Sequence, residues 1–181
     1  PQALDLQPNA NGVRVAVIDS GVAPHPELGA GVRYDLGFDF VADPTGARDG
    51  DGIDADADDP GDRKAGNRST FHGTHVAGTI AALSNNAVGL AGIAPGAQIV
   101  PIRGIGSDGI AAYDALQTLL YLAGLPNDSG RTSPTAQAAV VNLSLGFRQP
   151  ECPGPIADAF AAARARGVIP IASAGNDNNA N

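Results

Sequence analysis

Methionine and tryptophan are absent from the 181 residues, and aromatic residues make up only 4% of them. The core must therefore come from Ala, Val, Ile and Leu, which is workable because a chain of this length can bury most of its apolar surface. No unbroken apolar run reaches about 18 residues, which excludes a transmembrane helix, and no repeating period points to a fibre or a repeat array. Basic residues are scarce: 11 Lys and Arg stand against 19 Asp and Glu, for a net charge of -8. A general nucleic-acid surface needs clustered cations to meet the phosphates, so neither a nucleic acid nor a membrane is expected as partner. A single cysteine, Cys152, cannot close a bridge within the chain. It is a free thiol or half of a disulfide whose partner lies elsewhere. The opening PQALDLQPNANG is polar and lacks a charged segment followed by an apolar one, so any secretion signal is expected to be gone already.

What is present suits one globular domain, with 24 Gly and 14 Pro marking its turns. The acidity is local. Eight acidic residues and one basic residue lie between Asp43 and Asp62, and the rest of the chain is nearly neutral. That segment follows neither the helical nor the strand period and is full of Asp, Gly and Pro, which predicts a long loop over 43–64. Loops of that length usually carry a function or an ion.

Four apolar, β-branched runs read as buried strands: Val13 to Asp19, Gln98 to Ile102, Ala138 to Leu143 and Val168 to Ala172. Helical character precedes the last three, over His72 to Ser84, Ala111 to Ala123 and Pro155 to Arg166. The last of these opens at Pro155 and stops at Gly167. Alternating strands and helices predict an α/β fold, a parallel sheet with helices on both faces. In such sheets the working residues collect beyond the carboxyl ends of the strands. Those ends are Asp19-Ser20-Gly21, Ser144-Leu145-Gly146 and Ser173-Ala174-Gly175-Asn176.

A carboxylate at a strand end, such as Asp19, is commonly a turn or cap residue. His72-Gly73-Thr74-His75 is more informative, since a histidine opening an Ala-rich helix can turn its ring toward a cleft. Zinc on His72 and His75 would require a third ligand, and the only other histidine is His25, in a Pro-flanked turn.

Taken in order, VAVIDSGV around Asp19, HPEL at 25–28, HGTHVAGTIAA from His72, GLAGIAPGAQIVPIR from Gly89, VVNLSLG from Val140 and ASAGN ending at Asn176 resemble the blocks of the subtilisin-like serine proteases. The secreted bacterial branch, which carries an acidic insertion before the histidine block, is the most similar. The resemblance implies that residues 1–181 are the N-terminal part of one peptidase domain of a secreted endopeptidase, incomplete at its C-terminus, acting on proteins or peptides. His72 would be the general base, Asp19 the carboxylate that orients it and Asn176 the oxyanion donor, with Ser144, Leu145 and Gly146 walling the substrate pocket. Gly104 to Gly109 would offer a strand edge to the substrate. The family's nucleophile lies in a Gly-Thr-Ser-Met-Ala-type block, and no serine here has that context. The nucleophile is expected from downstream sequence, the remaining C-terminal part of the domain, and this chain alone is expected to be inactive. Cys152, in a Pro-flanked turn, is expected to pair with a cysteine beyond Asn181. A second reading is a non-catalytic, calcium-stabilised binding domain that keeps the fold.

Calcium is the expected cofactor. Asp54, Asp56 and Asp58 share the spacing that opens an EF-hand loop, although Asp59 stands at its glycine position and Ala65 at its closing glutamate. The dense carboxylates, with Asp59 and Asp62, would repel one another without a cation. A second calcium site is implied by the resemblance alone: Glu27, Asn86 and the carbonyls of Val88 and Leu90.

Overall fold

The computed structural model describes residues 5, 6, 9–61, 69–146 and 154–176. Five strands form one parallel sheet: β1 (Arg14–Asp19), β2 (Phe38–Asp39), β3 (Gln98–Arg103), β4 (Val140–Leu143) and β5 (Ile169–Ala172). Their spatial order is β2-β3-β1-β4-β5. The sheet carries α1 (Pro44–Ala47), α2 (His72–Ala81), α3 (Ala112–Leu122) and α4 (Gly154–Ala165). The central strand β1 is flanked on both sides, with Val15 opposite Ile99 on β3 and opposite Val140 on β4.

Alternation along β1 divides the core into two layers. Ala16 and Ile18 face one side, where Leu119 and Leu122 of α3 and Ala159 and Ala163 of α4 pack. Val15 and Val17 face the other, against Ala77 and Ala81 of α2. Where both faces are covered, as at β1 and β3, the strands tolerate unbroken apolar runs, and this is the α/β arrangement the sequence predicts. β5 departs from the buried strand expected there: it lies at the edge, with Ile169 and Ile171 more than half exposed. The few aromatics are pooled: Phe38, Phe40 and Tyr121 stack with ring centroids 5.1–5.6 Å apart.

Three departures from the sequence reading have physical causes. β2 is an edge strand of two residues, too short to show either period, and it pairs with Ile102 and Arg103. The loop predicted over 43–64 begins with a helical turn, α1. There Asp43 caps the amides of Thr45 and Gly46, and Pro44 occupies the first helical position. α2 ends at Ala81 rather than Ser84 because Gly92 packs on the backbone at that point. A Cβ on Gly92 would stand 2.6 Å from the Ile80 carbonyl oxygen.

Candidate active site

The carboxyl end of β1 delivers Asp19 into the sheet edge, fully buried. Its carbonyl accepts the amides of Gly104 and Ile105, and its Oδ1 accepts the amide of Ser20 at 2.8 Å. With the carboxylate fixed in this way, Nδ1 of His72, the first residue of α2, lies 2.8 Å from both of its oxygens. The imidazole is half exposed while its partner is wholly enclosed. The Nδ1 contact leaves Nε2, across the ring, as the nitrogen available to solvent and substrate. This close approach of helix to strand end requires Gly73, where a Cβ would fall 2.1 Å from the Gly21 carbonyl oxygen. Gly21 is itself held at φ 96, with its α-carbon against the backbone of Asp58 and Ala57.

A cleft of ≈ 340 Å³ opens on this pair and gathers Asp19, His72, Ser144, Leu145 and Gly146 along one wall line. The SLG segment that follows β4 thus lines the same cleft as the histidine. Ser20, Thr70, Ile105, Gly109 and Ile110 complete the cleft, and of these Thr70 and Ile110 had no sequence signal. The segment from Gly104 to Gly109 differs from expectation. Gly106 and Gly109 exchange both backbone hydrogen bonds across Ser107-Asp108, so Gly-Ser-Asp-Gly closes a tight turn instead of presenting an extended edge. Asn176 is exposed, four residues beyond β5 at the same carboxyl edge of the sheet. No serine among the described residues is hydrogen-bonded to His72.

The carboxylates expected to bind calcium separate into two groups. In the acidic loop, Asp54 Oδ1 accepts the Asp56 amide, Asp56 Oδ1 the Asp58 amide and Asp58 Oδ1 the Asp59 amide, at 2.7, 3.0 and 2.7 Å. Asp59 is buried and accepts a hydrogen bond from Ser20. Among the described residues no three His, Cys, Asp or Glu side chains stand together to hold an ion. Asp62, like Cys152, lies outside the described residues. At the second place the chemistry fits better. Glu27 Oε1 accepts from Asn86 Nδ2 at 2.9 Å, but Glu27 Oε2 is buried with no hydrogen-bond partner. The loop beside it holds Asn85 and Ala87 at φ 60 and 61, a conformation costly to L-residues. An anionic oxygen orphaned beside a loop rich in carbonyls is a donor set for a hard cation. Among the histidines, His25 Nδ1 accepts the Glu27 amide, which satisfies its own turn.

A buried charge cluster near the cleft escaped the sequence reading. Arg103, at the end of β3, donates Nη1 to Asp39 and Asp49 and Nη2 to the Ala47 carbonyl. It thereby ties α1 and the acidic segment to the sheet. Burial pushes the Asp39 carboxyl up to about 7, against the opposing pull of the Val41 amide and Arg103.

The model of the subtilase family matches residues 10–181. The chain belongs to the subtilase family. An extracellular protease of Xanthomonas campestris is 40% identical over 176 residues, covering 92% of this chain and 30% of that protein. Subtilisin BL of Lederbergia lenta is 35% identical, covering 97% of this chain and 52% of the subtilisin. Among solved structures, a protease from Pseudoalteromonas arctica superposes with a TM-score of 0.85 at 38% identity, over 93% of this subtilase chain and 51% of that one. The chain thus spans between about a third and a half of the length of these relatives.

Proposed function

We propose that this subtilase chain supplies the Asp–His half of a serine endopeptidase whose nucleophile comes from a further segment. The observation that carries the reading is the 2.8 Å contact of His72 Nδ1 with both oxygens of the buried Asp19, at the mouth of a cleft. A carboxylate on Nδ1 selects the tautomer that leaves Nε2 unprotonated, which is the form that can take a proton from a serine hydroxyl. As that proton moves, the ring becomes an imidazolium, and the desolvated Asp19 stabilises it. Asn176 is assigned the role of donor to the oxyanion that develops on the scissile carbonyl, and Ser144, Leu145 and Gly146 the role of holding the side chain that precedes it. The length of the relatives supports a serine outside this chain.

Protein or peptide substrates, and secretion, are proposed from relatives named as extracellular or subtilisin proteases. No helix among the described residues is long and apolar enough to cross a membrane. Calcium is proposed at Glu27 Oε2, with Asn86 and the carbonyls of Val88 and Leu90 as its companions. It would supply positive charge and rigidity there and take no part in bond cleavage. Cys152 is proposed to be in a disulfide, which resistance of the native protein to thiol labelling would support.

The deciding experiment joins this chain to the serine-bearing remainder of the domain and measures peptide hydrolysis. The chain alone should run at background, and the joined protein should be active. His72→Ala should then lower kcat on the order of 10⁶-fold, the loss known for removing the base of a subtilisin. Unimpaired hydrolysis in His72→Ala would falsify the reading, and a joined protein that binds peptides without cutting them would favour a binding domain.

A further inference from the structure

Helix α2 carries His72 yet has no side-chain cap of its own. Its N-cap residue is Phe71, in the left-handed region at φ 48, whose carbonyl accepts the His75 amide but whose side chain offers no acceptor to the first turn. The amide of Gly73 donates instead to Ser20 Oγ at 3.1 Å, a residue 53 positions upstream at the end of β1. Ser20 Oγ in turn lies 2.7 Å from Asp59 Oδ2. The amide of Gly73 can only donate, so Ser20 Oγ accepts there and gives its own proton to Asp59 Oδ2. Both Ser20 and Asp59 are at least 95% buried, at 3% and 5% exposure. The second Asp59 oxygen accepts the Gly61 amide at 2.8 Å, so the carboxylate is itself held in place. Meanwhile the amide of Ser20 donates to Asp19 Oδ1. One residue therefore reaches both sides of the Asp–His pair: its amide holds the Asp19 carboxylate, and its hydroxyl holds Gly73, the residue next to His72.

We propose that Asp59 is a positioning residue for His72, acting through Ser20 Oγ on the Gly73 amide. Without the carboxylate, the Ser20 hydroxyl is free to rotate and its proton can point at the Gly73 N–H, which removes the cap. The first turn of α2 then has no partner for that amide, and His72 is the residue beside it. The acidic segment so acquires a role that calcium binding does not require: one of its carboxylates is a structural member of the catalytic edge. The proposal rests on the serine-protease reading for the task of His72, while the chain of hydrogen bonds stands without it.

The test uses the peptidase domain complete with its serine-bearing segment. Asp59→Ala should lower kcat per titrated active site by about tenfold to a hundredfold with KM changed less than about twofold, the signature of a displaced catalytic group. Asp59→Asn, whose amide oxygen can still accept from Ser20, should recover most of the loss. Ser20→Ala should match Asp59→Ala, and the double variant should be no worse than either, because both act on one chain of bonds. In the same variants the Nδ1–H proton of His72, followed by NMR, should exchange with water faster than in the parent. Unchanged kcat and exchange in Asp59→Ala and Ser20→Ala overturn the proposal, and so does a double variant whose losses multiply. If Asp59→Ala does not fold, Ser20→Ala and Asp59→Asn give the same comparison. If the parent domain hydrolyses no peptide, the protease reading fails, and the NMR measurement alone decides whether Asp59 positions the ring.

Discussion

At the scale of single residues, the site depends on an atom that is not there. A Cβ at position 73 would enter the space of the Gly21 carbonyl oxygen, and backbone cannot yield as a side chain tip can. Gly73→Ala should therefore push α2 off β1, lowering stability by about 2 kcal/mol or more and activity with it. A thermal melt of the variant checks this, and an unchanged melting temperature would mean the helix has slack that the structure does not show. Asp19→Asn should leave the fold intact and lower kcat about 10⁴-fold, the scale at which the wrong imidazole tautomer costs a serine protease. Kinetics on the active protein would read it directly. Asp19 and His72 could be singled out in the sequence because each stands at the boundary of an element with a clear period and inside a block that resembles the subtilisin-like proteases, and the structure brings the two into contact. Asp59 could not. In a row of eight carboxylates nothing but burial separates the one under Ser20 from those at the surface.

Apolar runs were equally legible. β1, β3, β4 and β5 fall within a residue or two of theirs. For β1 and β3 the cause is burial, which leaves no polar face to interrupt the run, whereas the apolar run of β5 lies exposed. β2 left no such mark, and its most consequential residue, Asp39, meets Arg103 from 64 positions away. The burial of Asp39 gives the β2–β3 edge a pH dependence, which the pairing with Arg103 opposes. Asp39 titrates near 3.8 when unfolded and at about 7 when folded, owing first to burial. Between those values the folded protein holds a proton that the unfolded chain has released. Stability should therefore fall as pH rises from about 4 to about 7, by up to roughly 1.4 kcal/mol per unit from this group, and level off above. Asp39→Asn should flatten that slope in denaturant titrations across the same range; an unaltered slope would place the pH dependence elsewhere. The loop from Ser84 to Leu90 carries the other prediction at this scale. If calcium sits on Glu27 Oε2, free ion at about a hundred times its dissociation constant adds about 2.7 kcal/mol. For a chain of this size, chelation should lower the melting temperature by about 5–10 °C. Glu27→Gln should abolish the difference between chelator and calcium.

For the whole molecule, the distribution of apolar surface is uneven. Among the described residues β5 is the outermost strand on its side of the sheet, paired to β4 alone, and its Ile169 and Ile171 are more than half exposed. On the far side of α2, Phe71, Leu90 and Ile93 border an apolar cavity of ≈ 550 Å³, with Leu90 85% exposed. An open strand edge and an apolar hollow of this kind are rare on a self-sufficient monomer. The relatives are about twice as long or longer, and a parallel sheet is completed by adding strands at its free edge. Under the proposed function, the further segment that brings the serine would be the occupant of these surfaces. The chain by itself should bind a hydrophobic dye such as ANS and self-associate in sedimentation. Adding that segment should suppress both and raise the melting temperature, and β5 amides should become protected from hydrogen exchange in the joined protein. A monomeric chain that binds no dye would show that these surfaces need no cover, and the serine would then have to reach His72 without docking on either of them.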